Sequence, residues 1–415
     1  MQGLRLGIDF GTSGARAIAI DAQGEIVAQS RVNDLDQTPQ AWRSALESLL
    51  SDLPQTVRSQ IVGIAINGTS STVLLCDAAG TPLLEPLMYN DARAIEQLPK
   101  LQAIAPPAHT VQSATSSLAK LLWFSQQPEF EQSVYFLHQA DWIASLLHGK
   151  LGISDYHNAL KLGYDVEQLR YPDWMRTGLA AQLQTRLPDV RSPGATIGLV
   201  LPQWCDRFGL PASCGVYAGT TDSIAAFLAS GAQEIGEAVT SLGSTLVIKL
   251  LSETRLEDAR YGIYSHRLGN RWLVGGASNS GGAVLNAFFS PEQIQQFCLE
   301  IDPTISTPLD YYPLLKPGDR FPINDPQLKP RLEPRPASDR EFLHGLLEGI
   351  ARIEAQAYSL LHQLGASPLR QVYTAGGGAK NQVWTQIRSR WIGKPVSSAQ
   401  YSEAAYGTAR LVKLP

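Results

Sequence analysis

Residues 7–20 read GIDFGTSGARAIAI. Two short runs of β-formers flank Gly11-Thr12-Ser13-Gly14, which predicts strand, glycine-rich turn, strand. Such a turn offers backbone N–H groups and two hydroxyls, the makings of a nest for phosphate oxygens. Read alone, it is equally an ordinary hairpin in which glycine supplies a positive φ. Asp9 sharpens the question, because it places a carboxylate at the strand end, beside a turn suited to anions.

Working outward, Glu25–Ser30 (EIVAQS) adds a third strand and makes a β-meander. PQAWRSALESLLSDL follows with Pro39 at its start and apolar residues at helical spacing. Ile61–Gly68 and Ser71–Asp77 read as apolar strands, and helical patterns dominate from Ala92 to Leu147. A second start comes at Gly215–Ala232, as strand, small-residue turn and helix, followed by AVTSLGSTLVIKL from Ala238 to Leu250. FGTSGARAIAI and LGSTLVIKL share one design, so two α/β lobes, each with a β-turn loop, are expected. GGASNSGG (Gly275–Gly282) and TAGGGAKNQVW (Thr374–Trp384) read as two further glycine-rich turns, each leading into a helix.

At 415 residues the chain suits two or three domains, and 44% hydrophobic with 17% charged residues is ordinary for a globular protein. The net charge of -4, with no basic runs, argues against nucleic acid as the main partner. Cys76, Cys205, Cys214 and Cys298 are scattered without a CxxC, so neither a zinc site nor a disulfide framework is indicated. The first strand begins almost at Met1, and there is no apolar run of the ~18 residues a membrane span needs. The expectation is a cytoplasmic protein with no membrane partner. The histidines form no HExxH or other ligand spacing, against histidine-based metal or triad chemistry.

Several motifs leave two readings open. In AGTTDS (Ala218–Ser223), Asp222 stands at the head of a helix, where a capping residue and a general base look alike. AGGGAKN (Ala375–Asn381) permits close backbone approach before a helix N-terminus, and Trp384 one turn later suits either a purine stack or the core. There is no complete GxGxxG, and Gly393-Lys394 is followed by Pro395, so no Walker A motif is present. NGTSSTVLLCD (Asn67–Asp77) and YNDARA (Tyr89–Ala94) gather hydroxyl-matching groups beyond strands, suited to a polyol or simply solvated.

Taken together, these motifs resemble the FGGY family of carbohydrate kinases, within the actin/Hsp70/sugar-kinase superfamily. The matches are GIDFGTSGARA, AGTTDSIAAFLASGA, SLGST, GGASNSGGAV, KPGDRFPINDP, LLEGIARIEAQ, GGGAKNQVWTQIRSRWIGKPV and EAAYGTARL, in family order over nearly the whole chain. The resemblance implies an α/β fold of two actin-like ATPase, ribonuclease H-like lobes with a central cleft and hinge. It places an N-terminal lobe at 1–225, a nucleotide-binding C-terminal lobe at 226–401, and a C-terminal helix at 402–415 returning to the first lobe.

The activity it implies is ATP-dependent transfer to a terminal hydroxyl of a ketopentose. D-ribulose comes first, because NGTSST replaces the GQxHG-like segment of xylulose and glycerol kinases. D-xylulose or another polyol is the alternative, and a sugar- and ATP-binding sensor or ATPase the rival of another class. Asp222 would be the base, with Asp9 and Thr12 also catalytic and Asp9 holding Mg²⁺, through water. Gly11, Thr12, Ser13, Gly243, Ser244 and Thr245 would hold phosphate oxygens. Gly376, Gly377, Gly378, Asn381 and Trp384 would frame the adenosine. Asp9, Ser71, Thr72, Asp91, Arg93 and Asp222 would meet the sugar.

Overall fold

The computed structural model describes residues 3–107 and 109–413. The chain forms two compact units, one running to Ala229 and resuming at Glu403, the other Ser230–Ser402.

The first unit is built on β1 (Leu4–Phe10), β2 (Gly14–Ile20), β3 (Ile26–Asn33) and β4 (Ile61–Gly68). β5 (Val73–Cys76) and β6 (Tyr135–His138) pair apart from the main sheet, as do β7 (Ile153–Asp155) and β8 (Asp189–Arg191). β9 (Thr196–Leu199) and β10 (Gly215–Thr221) complete a six-stranded sheet of order β3-β2-β1-β4-β10-β9. β1, β2 and β3 are antiparallel, whereas β4 runs parallel to β1 and β10 parallel to β4. β4 is buried along almost its whole length, which explains its continuous apolar run.

The helix Pro39–Asp52 forms where its sequence indicates. Thr38 caps the Ala41 N–H at 3.2 Å, Pro39 takes the first turn, and Trp42, Ala45, Leu46, Leu49 and Leu50 make one buried stripe. That stripe packs into a core with Leu6, Ile8, Ile64 and Ile66, where Trp42 meets Trp142 edge-on at 6.2 Å.

β10 is irregular between Tyr217 and Thr220, a shift that re-aims the strand end just before the helix Asp222–Ala229. That helix packs on the C-terminal helix Ala404–Ala409. The approach is so close that a Cβ at Gly407 would lie 1.8 Å from the Ala225 carbonyl oxygen. Further ties bind the C-terminal segment to the first unit: Asn67 Nδ2 to Thr408 Oγ1 at 2.6 Å, Tyr406 Oη to the Gly24 carbonyl at 2.9 Å, and Arg410 to the Leu228 carbonyl at 2.8 Å. The division between the units therefore follows Ala229 rather than Ala225, because the helix Asp222–Ala229 continues unbroken, and the return starts at Glu403 rather than Ser402.

The second unit carries β11 (Glu237–Leu242), β12 (Leu246–Ser252), β13 (Tyr264–Leu268), β14 (Arg271–Ser278), β15 (Gln371–Ala375) and β16 (Val396–Ser398), in the order β13-β14-β12-β11-β15-β16. β11, β12 and β14 are antiparallel, and β15 and β16 continue in parallel. This repeats the run β1, β2, β3, β4, β10 of the first unit, so the echo between FGTSG and LGSTL is an echo of whole sheets.

The helix Asp339–Gln363 buries Leu343, Leu346 and Ile350 here. Its fully buried Glu354 takes a two-pronged bond from Arg388, at 2.6 and 2.7 Å. One reading is corrected. Gly275 and Gly276 do not form a turn but lie inside β14. A Cβ at Gly275 would sit 1.9 Å from the Ile248 carbonyl oxygen, so close strand packing, not turning, accounts for that glycine.

Candidate active site

In the first unit, Asp9 is the last residue but one of β1, opposite Arg16 of β2 and beside Asn67 of β4. The turn that follows is closed by the Gly11 N–H on the Gly14 carbonyl at 2.9 Å. Gln37 braces it from below, its Nε2 donating to the Gly11, Thr12 and Leu35 carbonyls at 3.3, 3.0 and 3.1 Å. The Trp42 indole N–H in turn fixes Gln37 at 3.2 Å. Turn conformation is thus set by its carbonyls, while the Thr12 and Ser13 side chains stay exposed. A cavity of about 420 Å³ opens here, lined by Asp9, the Gly11–Gly14 turn, Arg16, Arg31, Thr69 and Asp222, among others.

Burial, and then the negative charge of Asp222, pushes the Asp9 carboxyl up to about 7, against the opposing pull of Arg16 and Asn67. Its Oδ1 is buried and has no hydrogen-bond partner. An unpartnered buried carboxylate oxygen near a second carboxylate is suited to a hard divalent cation. No group of three or more His, Cys, Asp or Glu side chains that could cage a metal exists among the described residues. The lone Asp9 oxygen, with Asp222 nearby, fits Mg²⁺, which keeps several waters and takes few carboxylates. Arg16 also forms an ion pair with Glu403 of the C-terminal return.

Asp222 is the first residue of its helix and half-buried, with the Ser223 N–H donating to its Oδ1 at 2.6 Å. Lys161, which no motif marks, lies close enough to feel its charge: burial lowers the lysine pKa and Asp222 opposes that shift. The structure thus gathers Asp9, Gly11, Thr12, Ser13 and Asp222 around one cavity. It does not bring Ser71, Thr72, Asp91 or Arg93 to the lining of that cavity.

The placement of those four corrects some of their expected roles. The Thr72 hydroxyl is fully buried and occupied, 2.5 Å from Thr69 Oγ1 and accepting from the Tyr89 N–H at 3.0 Å. It therefore braces the loop and is not presented to a sugar. Ser71 is buried, with its Oγ unpartnered. Arg93 engages both oxygens of Asp91, at 3.0 and 2.8 Å, and so fixes that carboxylate.

In the second unit, Gly243, Ser244, Gly377, Gly378, Asn381 and Trp384 line one cavity of about 730 Å³. That is a size suited to a nucleotide-sized ligand. Gly243 and Gly377 face open space, where even a Cβ would meet nothing within 4 Å. Thr245 and Gly376 stand behind the lining. The Thr245 carbonyl accepts from the Gly243 N–H at 3.2 Å, and Gly376, at φ 85°, makes the turn. Asn381 caps the helix Gln382–Ile392 through the Trp384 N–H at 2.9 Å.

Trp384 corrects the stacking alternative. Only 3% exposed, it anchors its indole N–H on the Leu347 carbonyl at 3.1 Å and so belongs to the core. Trp384→Ala is accordingly expected to destabilise the second unit by about 3–5 kcal/mol in a denaturant melt. A raised nucleotide KM at unchanged stability would contradict the core placement.

Comparison with known proteins agrees with this layout. Residues 4–229 match the N-terminal domain of the FGGY family of carbohydrate kinases, and residues 238–411 its C-terminal domain. The chain is 25% identical over 437 residues to a xylulose kinase of Escherichia coli K12, covering 99% of this chain and 89% of that one. It is 26% identical over 437 residues to a xylulose kinase of Streptomyces coelicolor, covering 98% and 86%.

Among solved structures, a xyloylose kinase from Brucella ovis superposes with a TM-score of 0.84 at 24% identity, covering 98% of this chain and 89% of that one. A Plasmodium falciparum glycerol kinase with ADP gives 0.82 at 18% identity, covering 99% and 89%. Two domain matches spanning nearly the whole sequence, on top of the doubled sheet and its two cavities, settle the membership: this chain belongs to the FGGY family of carbohydrate kinases.

Proposed function

We propose that the protein transfers the γ-phosphate of ATP to a terminal hydroxyl of a ketopentose. The observation that carries this reading is the cavity in which Asp9, the Gly11–Gly14 turn and Asp222 converge. In it, Asp222 accepts the proton of the attacking hydroxyl, a task worth ~10²–10⁴-fold for a positioned base. Thr12 and Ser13 offer donors to phosphate oxygens, and Asp9 would hold Mg²⁺. When bound, Mg²⁺ neutralises charge on the phosphate oxygens. Gly243 and Ser244, with the Gly377–Asn381 turn, form the nucleotide cavity of the second unit. The solved relative with ADP supports a nucleotide as the second ligand.

The relatives' names favour D-xylulose as acceptor. D-ribulose is the second reading, favoured by one observation. In NGTSST the Thr69 and Thr72 hydroxyls bond each other at 2.5 Å, and no histidine or glutamine stands in that segment to reach a sugar. A coupled ADP assay over D-xylulose, D-ribulose, aldopentoses, glycerol and gluconate tests the assignment. Saturable turnover with a ketopentose, at the highest kcat/KM of the panel, is expected. Activity confined to glycerol or gluconate, or absent throughout, would contradict it.

A further inference from the structure

Lys120, in the helix Ser117–Phe124, is the only buried lysine among the described residues, with no exposed surface at all. Among the described residues no carboxylate forms an ion pair with it. Instead its Nζ donates to two backbone carbonyls, Ser71 at 2.8 Å and Met88 at 2.6 Å. Burying an ammonium with so little compensation is costly, and burial indeed pushes Lys120 down to about 7, with Asp91 opposing and Lys161 adding to the shift.

The two carbonyls belong to the two segments that carry the acceptor candidates. Ser71 sits at φ 67°, a left-handed conformation unfavourable for a residue with a Cβ, and its buried Oγ has no partner. The Met88 carbonyl also accepts the Asp91 N–H at 2.9 Å, so Lys120 grips the turn that bears Asp91 and its clamp Arg93. Between these points, Thr72 Oγ1 takes the Tyr89 N–H at 3.0 Å, and Val73 pairs with Leu87. One buried cation therefore fastens a strained turn after β4 to the Met88–Asp91 turn.

We propose that Lys120 is a positioning residue for the acceptor: by fastening the Ser71 turn to the Met88–Asp91 turn it fixes Thr72 and, through the bond between the two hydroxyls, Thr69, which lines the cavity shared by Asp9 and Asp222. This rests on the reading of that cavity as the place where the sugar hydroxyl meets Asp222.

Lys120→Met removes the donors at nearly constant length. The acceptor KM is expected to rise at least about tenfold, since a misplacement of about 1 Å can cost ~10²-fold, while the ATP KM stays within about twofold. Amide exchange at Tyr89 and Asp91, measured on the full chain without ligand, should quicken at least about tenfold relative to the β1 and β4 amides. An unchanged acceptor KM, or equal changes in both KM values, would overturn the proposal. If Lys120→Met does not fold, Lys120→Gln, which keeps an NH₂ on a shorter arm, is read by the same ratio. Should the unaltered protein turn over no ketopentose, the exchange measurement still decides the fastening role: unquickened Tyr89 and Asp91 amides would overturn it.

Discussion

Asp222→Asn lowers turnover by about 10²–10⁴-fold and leaves the unfolding free energy within about 0.5 kcal/mol of that of the unaltered protein. The two halves of this expectation separate the two things Asp222 can be. As the first residue of the helix Asp222–Ala229, with its Oδ1 on the Ser223 N–H, it resembles an ordinary helix-terminal residue. Asparagine serves helix starts about as well as aspartate, so a purely structural Asp222 would tolerate the change in both assays. A base would not, because an amide cannot accept the hydroxyl proton at neutral pH. Near-normal turnover at unchanged stability would remove Asp222 from catalysis and leave it a helix-terminal residue. The neighbouring Lys161, partly buried and close enough to interact with Asp222, places an opposite charge beside that carboxylate.

Asp9→Asn is expected to give opposite signs in stability and turnover. In the ligand-free protein Asp9 is pushed up to about 7, first by burial and then by Asp222. A carboxyl whose folded pKa is raised contributes stability that is full below its unfolded pKa and is lost as pH rises through about 7. The neutral amide escapes that loss. At pH ~8, Asp9→Asn should therefore be more stable than the unaltered protein by about 1–3 kcal/mol, on the scale of ~1.4 kcal/mol per pKa unit. The gain should shrink towards pH ~5, where Asp9 already holds its proton. Turnover should fall by at least about 10²-fold, as expected when a preorganised charge partner is removed from the reacting centre. Thermal melts at the two pH values, alongside the kinetic assay, check both signs. A variant less stable at pH ~8 than at pH ~5, relative to the unaltered protein, would contradict the electrostatic account of this site.

Much of this arrangement was legible because it is written locally. The hairpin of β1 and β2 follows from alternation around Gly11–Gly14, and Asp222 falls at a strand-to-helix junction whose punctuation lies in six adjacent residues. Recurrence of the same design from Ala238 to Leu250 marked the second sheet. What escaped depends on contacts between distant residues. Asn67 and Thr408 are 341 positions apart, and nothing near either shows that they meet. Gln37 looks like loop polarity until its three carbonyl partners are seen. Lys120 lies in an apolar helical run, SLAKLLWF, where a lysine normally points to solvent. Trp384 shows the converse, since helical spacing put an aromatic near a glycine-rich turn but could not say which side of the turn its ring occupies. Gly275 lies inside a strand where its sequence suggests a turn, because a glycine needed for strand packing and a glycine needed for a turn are spelled alike.

The central claim is phosphoryl transfer to a sugar, as distinct from ATP hydrolysis or silent binding. It is tested most directly by phosphorus NMR of one reaction mixture containing the protein, ATP, Mg²⁺ and a ketopentose. The account predicts one sugar phosphate formed for each ADP, with inorganic phosphate a minor product, and loss of the sugar phosphate signal in Asp222→Asn. ADP accompanied only by inorganic phosphate, or sugar binding with neither product, would contradict it.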